Sequence, residues 1–334
     1  NLMGRCDSFV VETDVHYPTD INLLFDAILK TIRLATLMSQ SQRKTLWRQY
    51  EYNIRSFKKL FRRAQQLKRS TSKDEKKKVI REKLIINAHK IYIEAAQGYI
   101  QKSIWTLDNI GSTDPLSLAR AQALENFISH AKRQINQIHQ RVIQGKKIPH
   151  QDKVFSIFQP HTERISKGKA AVPQELGLRV CILEDQSGLI LHHRVMEKET
   201  DDKIAVSMVE SALKKFPNLK GCSFDKGFYS PSNKKELKTF LKTLVLPKKG
   251  KRNKAEHKEE TSEEFIRFKR KHSAVESAVN GLENHGLDRC LDHGIHGFKR
   301  YISLAVLSRN LQIIGHNIQQ KKMKQLQRSQ RKAA

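Results

Sequence analysis

The stretch CSFDKGFYSP, Cys222 to Pro231, ends an apolar run on a carboxylate and follows Asp225 with Lys226, Gly227 and two aromatics. Asp is a poor strand residue, so at the mouth of a buried strand it either caps a turn or is held there for chemistry. Two further acidic residues have comparable settings. Asp7 enters the apolar segment CDSFVVET, and Glu276 lies in HSAVESAVN among small apolar residues expected to pack on a sheet. A carboxylate on a packed face is costly unless it is paired or bound to metal. Hard divalent cations such as Mg²⁺ take several oxygen ligands, and a two-metal phosphoryl-transfer site needs carboxylates arriving from different elements. Asp7, Asp225 and Glu276 are the candidate ligands, with Asp14 an alternative to Asp7. Asp20 reads as a cap for a helix starting at Ile21.

The elements that must position these residues follow from the apolar periodicity. Residues 1–19 are strand-like and close on Pro18. From Ile21 to Gly145 the pattern is helical, and Trp47, Tyr50, Ile54, Phe57, Phe61, Ala64 and Leu67 form one apolar stripe on a long helix. Turns are expected at 70–74 and 111–115. After Gly145 come two strands, 176–184 and 188–195, joined by the hairpin turn DQSG. A helix over 202–216, capped by Thr200 and Asp201, precedes a short strand ending at Asp225. A helix from Pro231, a strand over 243–247, and a helix from a Thr261/Glu264 capping box to Glu283 follow. The last helix spans Phe298 to about Gln320, with a basic tail. Without the inserted helices, this is the order of a ribonuclease-H-like mixed sheet, an antiparallel hairpin plus parallel strands in an α/β fold. The expected division is 1–19 and 151–297 for the catalytic core, 20–150 for the helical insertion, and 298–334 for the terminal helix and tail. Sites in open α/β sheets lie at strand ends where the strand order reverses, which is where Asp225 falls.

Charge points to the partner. The 63 Lys and Arg outnumber 34 acidic residues, a formal charge of +29. Such a surplus favours a polyanion, usually nucleic acid, and with no run of eighteen apolar residues a membrane is not expected. Segment 43–83 holds sixteen basic and four acidic residues. Its Lys58, Lys59, Arg62 and Arg63 are therefore expected to face DNA, as are Lys248, Lys249, Lys251 and Arg252 of the loop before the Glu276 helix. The four cysteines form no CxxC pair and read as reduced thiols of a cytoplasmic protein. No signal peptide is visible, and an opening on Asn1 reads as a fragment.

Several segments together resemble the DDE transposases of bacterial insertion sequences, most closely the ISNCY-type group. They are CDSFVVETDVHYPTD (6–20), ISKGK (165–169), ELGLRV (175–180), FDKGFYSP (224–231), VLPKKGK (245–251), HSAVESA (272–278) and HGLDRC (285–290). The resemblance implies a ribonuclease-H-like catalytic domain that cuts and joins transposon ends, in the bacterial cytoplasm at the nucleoid. It implies two Mg²⁺ ions, replaceable by Mn²⁺, held by Asp7, Asp225 and Glu276, with double-stranded DNA as partner and a homodimer in the DNA complex. The family's Tyr, Arg, Glu and Lys around the catalytic Glu fall on Lys269, His272, Glu276 and Glu283. Lys269, His272 and Lys226 are accordingly expected near DNA, with Lys269, His272 and Glu276 on one helix face. Such transposases begin with a helical DNA-binding region, and only six residues precede Asp7, so end recognition is expected to be lost. Two other classes fit the same residues: a structure-specific Mg²⁺-dependent nuclease, and a non-catalytic DNA-binding remnant.

Overall fold

The computed structural model describes residues 2–69, 74–111, 114–149, 152–166 and 174–333. The turns expected at 70–74 and 111–115 and the ISKGK segment fall partly outside the described residues. The chain divides into two compact units, residues 1–15 with 161–334, and residues 16–160.

The first unit is built on a mixed sheet. Its central strand β1 (Leu2–Thr13) pairs antiparallel with β3 (Gln174–Glu184) and parallel with β5 (Leu219–Phe224). Strand β4 (Ile190–Met196) extends the hairpin beyond β3, and β6 (Thr243–Val245) lies parallel beside β5. Two short strands were not legible in the sequence. They are β2 (Glu163–Ser166) on β3 and β7 (Arg289–Cys290) on the end of β1. The hairpin forms as expected, because Asp185 accepts from the N–H groups of Ser187 and Leu189 and Gly188 takes φ +85°.

Strand alternation sends β1 side chains to opposite faces. On one face Cys6 joins Cys181 and Leu183 against α5 (Asp201–Lys215) and α6 (Pro231–Phe240). On the other, Phe9 and Val11 meet Leu178 and Val180 under α9 (Ala274–Leu282) and α10 (Gly294–Ala333). Gly177 permits the closest passage of β3 along β1: a Cβ there would lie 2.0 Å from the Val11 carbonyl oxygen.

The second unit packs α1 (Asp20–Ser41), α2 (Tyr50–Arg69), α3 (Glu75–Asn109) and α4 (Pro115–Ile138) around Leu24, Ile28, Phe57, Tyr92 and Leu124. Phe57 stacks on Phe25 and Tyr92, with ring centroids 5.9 and 4.7 Å apart. The apolar stripe of α2 points inward as expected. Trp47, though, precedes that helix and donates from Nε1 to Thr106 Oγ1 at 2.9 Å. The cap of α1 is Thr19, which accepts from Asn22 N–H, while Asp20 is the first helical residue and pairs with Arg141 at 3.2 Å.

Two expectations about helices need correction. The single helix expected from Thr261 to Glu283 is two, α8 (Glu263–His272) capped by Ser262, and α9. At the break the Ser273 hydroxyl donates to the Arg270 carbonyl at 2.9 Å, a side-chain bond that competes with the helical ladder. A separate short helix α7 (Lys254–Glu260) precedes them, with an Asn253/Glu256 capping box. The last helix runs well past Gln320, because the Lys, Gln, Arg, Met and Leu residues that follow that position are good helix formers with no Pro or Gly among them.

Candidate active site

Register brings Asp7 and Asp225 together. The β1–β5 pairing ends at Cys6 opposite Phe224, so Asp7 and Asp225 are the next positions on two neighbouring parallel strands. Asp225 leads into a 3-10 turn at Lys226–Phe228, whose Phe228 is buried and packs on Phe224 with ring centroids 5.5 Å apart. Asp225 occupies the cap position of that turn, yet its side chain makes no capping bond. The carboxylate that interrupts the apolar run is therefore not spent on local structure.

Glu276 comes from a third element, the first turn of α9. It is exposed rather than on the packed face, because Val275 and Ala278 take the sheet-facing positions. The break at Ser273 also places Lys269 and His272 on a different helix from Glu276, so the three do not share one continuous face.

Asp225 and Glu276 both act on Asp7. Asp7 is pushed up to about 6, first by burial and then by Asp225, Asp201 and Glu276, against the lowering effect of the Ser8 N–H bond. That backbone bond to Asp7 Oδ1 is 2.7 Å long. Asp201 went unassigned to the site in the sequence. It is the first residue of α5, where Thr200 is the cap without a side-chain bond, and its Oδ1 accepts from Ser8 Oγ at 2.7 Å. Gly227 passes close to it: a Cβ there would stand 3.1 Å from Asp201 Oδ2. No periodicity could have marked Asp201, since an Asp at a helix start is ordinary.

Asp14 lies just beyond the end of β1, seven residues from Asp7 or roughly 23 Å at strand rise, and pairs with Arg289 at 3.6 Å.

His272 stands beside this group. Burial holds its pKa below the usual value, while Asp225 and Glu276 pull it up and Arg5 pushes it down. Nδ1 lies 3.0 Å from Ser223 Oγ, which is 3.4 Å from the Gly4 carbonyl. With the hydroxyl donating to Gly4, Nδ1 carries the ring proton and Nε2 is a lone-pair acceptor, buried without a partner among the described residues. In that form Nε2 has no proton to offer a phosphate.

The donor set fits a hard divalent cation. Its acids supply oxygen ligands, Asp225 and Glu276 make no salt bridge among the described residues, and Asp7, shifted first by burial, also feels neighbouring carboxylates that favour a positive partner there. Among the described residues no three His, Cys, Asp or Glu side chains are already drawn into a ligand cluster.

The basic residues fall into distinct groups. Lys226 and Lys269 are exposed. Lys248 is held by Glu256 at 2.7 Å and Arg252 by Glu260 at 2.7 Å, whereas Lys249 and Lys251 are exposed without an ion pair among the described residues. In the helical unit, Lys58, Lys59, Arg62 and Arg63 lie exposed on the outer face of α2. All four cysteines are free and buried, and no described helix is long and apolar enough to cross a membrane. Compared with models of protein families, with curated proteins and with solved structures, the chain gives no match.

Proposed function

We propose that the protein is a DDE-type DNA transposase that cleaves and joins insertion-sequence ends on a ribonuclease-H-like core. The observation that carries the reading is that Asp7 and Asp225 directly follow the last paired residues of a central strand and its parallel neighbour, with Glu276 of a covering helix acting on Asp7. Support for the core comes from the strand order β4-β3-β1-β5-β6, antiparallel across the hairpin side and parallel on the other. Asp7, Asp225 and Glu276 would hold two Mg²⁺ or Mn²⁺ ions. Such ions activate a water or 3′-hydroxyl and stabilise the leaving oxygen of the phosphodiester.

The chain's own residues set the geometry. Asp7 is oriented by the Ser8 N–H, and Ser8 Oγ ties the neighbouring Asp201 to the same strand. Double-stranded DNA would be held through its phosphates by Lys226, Lys249, Lys251 and Lys269, with the α2 face as a further basic surface.

The experiment is Mn²⁺-dependent nicking of supercoiled plasmid together with joining of the cut end to a target duplex. Asp7→Asn, Asp225→Asn and Glu276→Gln should each abolish both, while Asp14→Asn leaves them intact. Cleavage retained in one variant would remove that residue from the triad, and cleavage without joining would support a nuclease instead.

A further inference from the structure

Helix α10 carries two apolar faces, and only one is packed among the described residues. Phe298, Ile302 and Val306 are buried with α9 and the sheet. Away from that face stand Leu304 (56% exposed), Leu307 (53%), Leu311 (59%), Ile314 (43%) and Ile318 (49%). Their spacing is three, four, three, four, the heptad repeat that lets one helix pack along another of the same pattern.

Charge indicates which helix that is. Two copies of a chain at +29 repel across most of their surfaces. Between Tyr301 and Gln320 the only Lys, Arg, Asp or Glu is Arg309. It is turned to the core, where it acts on Glu184 and lies against Gly281. The positions flanking the seam, Ser303, Ser308, Asn310, Gly315 and Asn317, are small or polar and uncharged. This stretch is where self-association costs least. At roughly 100 Å² of exposed surface apiece, five seam residues from each of two copies approach the ~1,000 Å² that a specific interface should clear.

We infer that the protein forms a dimer in the absence of DNA, with the Leu304–Ile318 face of α10 packed against the same face of a second copy. The interface is isologous, so a two-fold axis passes near Leu311, the midpoint of the seam. The inference does not depend on the DNA chemistry proposed above.

Light scattering on nuclease-treated, DNA-free protein at tens of micromolar tests it. The parent should run at twice the 38.6 kDa chain mass, and Leu311→Glu with Ile314→Glu at the chain mass with an unchanged helix content by circular dichroism. Leu311→Cys offers a second arm that leaves the helix undisturbed. With all four native cysteines buried, mild oxidation should join two Leu311→Cys chains through that position. A monomeric parent, a double variant that stays dimeric, a dimer that needs DNA, or a dimer without the cross-link would each overturn the inference.

Discussion

Asp7→Asn should stabilise the protein while destroying its proposed activity. Asp7 is held at about 6 against an ordinary 3.8, a gap of about two pH units, worth ~3 kcal/mol between its two protonation states. The native state thus binds the Asp7 proton more tightly than the unfolded chain does. Between about pH 4 and 6 the folded form holds more protons, so stability falls as pH rises through that window and the full penalty stands above about pH 7. Asparagine removes the charge yet keeps the acceptor for Ser8 N–H at 2.7 Å. Solvent screens part of the effect at a group that is not fully buried, which leaves a gain of about 2 kcal/mol at pH 8. For a unit of about 190 residues that is ~4–8 °C in melting temperature. The gain should vanish by pH 4. Millimolar Mn²⁺ should raise the melting temperature of the parent, by binding the native state, and do less for the Asn variant. A variant no more stable than the parent at pH 8, or one whose gain ignores pH, would refute the reasoning.

Asp201→Ala removes the acceptor of Ser8 Oγ, and single-turnover cleavage should fall about 10–100-fold without being abolished, as for groups that orient ligands. Exchanging Lys58, Lys59, Arg62 and Arg63 for Gln should flatten the slope of log affinity for DNA against log salt by about 0.9 for each phosphate no longer neutralised. In the same titration Lys249→Gln with Lys251→Gln should flatten it more than Lys248→Gln with Arg252→Gln, since the latter cations already face Glu256 and Glu260. Gly177→Ala would force a methyl into the Val11 carbonyl, and a loss of about 3 kcal/mol or more in denaturant unfolding is expected from the broken strand pairing.

The parts of the fold that repeat locally were legible. The hairpin around DQSG, the inward stripe of α2 and the strand ending at Asp225 all follow from alternation, helical spacing and turn residues close in sequence. What escaped depends on distant partners. Asp201 bonds to Ser8 across 193 positions, and β2 and β7 are too short to show alternation. Glu276 was expected on a packed face because its neighbours are small and apolar, but Val275 and Ala278 claim that face and turn it outward. The same holds for Lys248 and Arg252: the acids that occupy them are visible eight residues on, yet only the fold of α7 decides that they meet. Ser273 shows the limit within a helix, where the chain breaks a ladder that composition would have continued.

The position of β1 also governs the order of events during synthesis. This central strand leaves the ribosome about 160 residues ahead of β3, and β5 follows later still. At roughly 5–20 residues per second its backbone groups wait ~8–30 s for partners. During that interval the helical unit can fold, and it then holds the chain on either side of it close together, where Thr13 and Thr162 finally meet through their hydroxyls at 2.9 Å. Left open over that length, the loop would cost ~4 kcal/mol to close. A chain slowed within the helical unit would therefore expose the apolar residues of β1 for longer, and aggregation during expression should rise with translation time through residues 16–160 rather than with the stability of the finished fold.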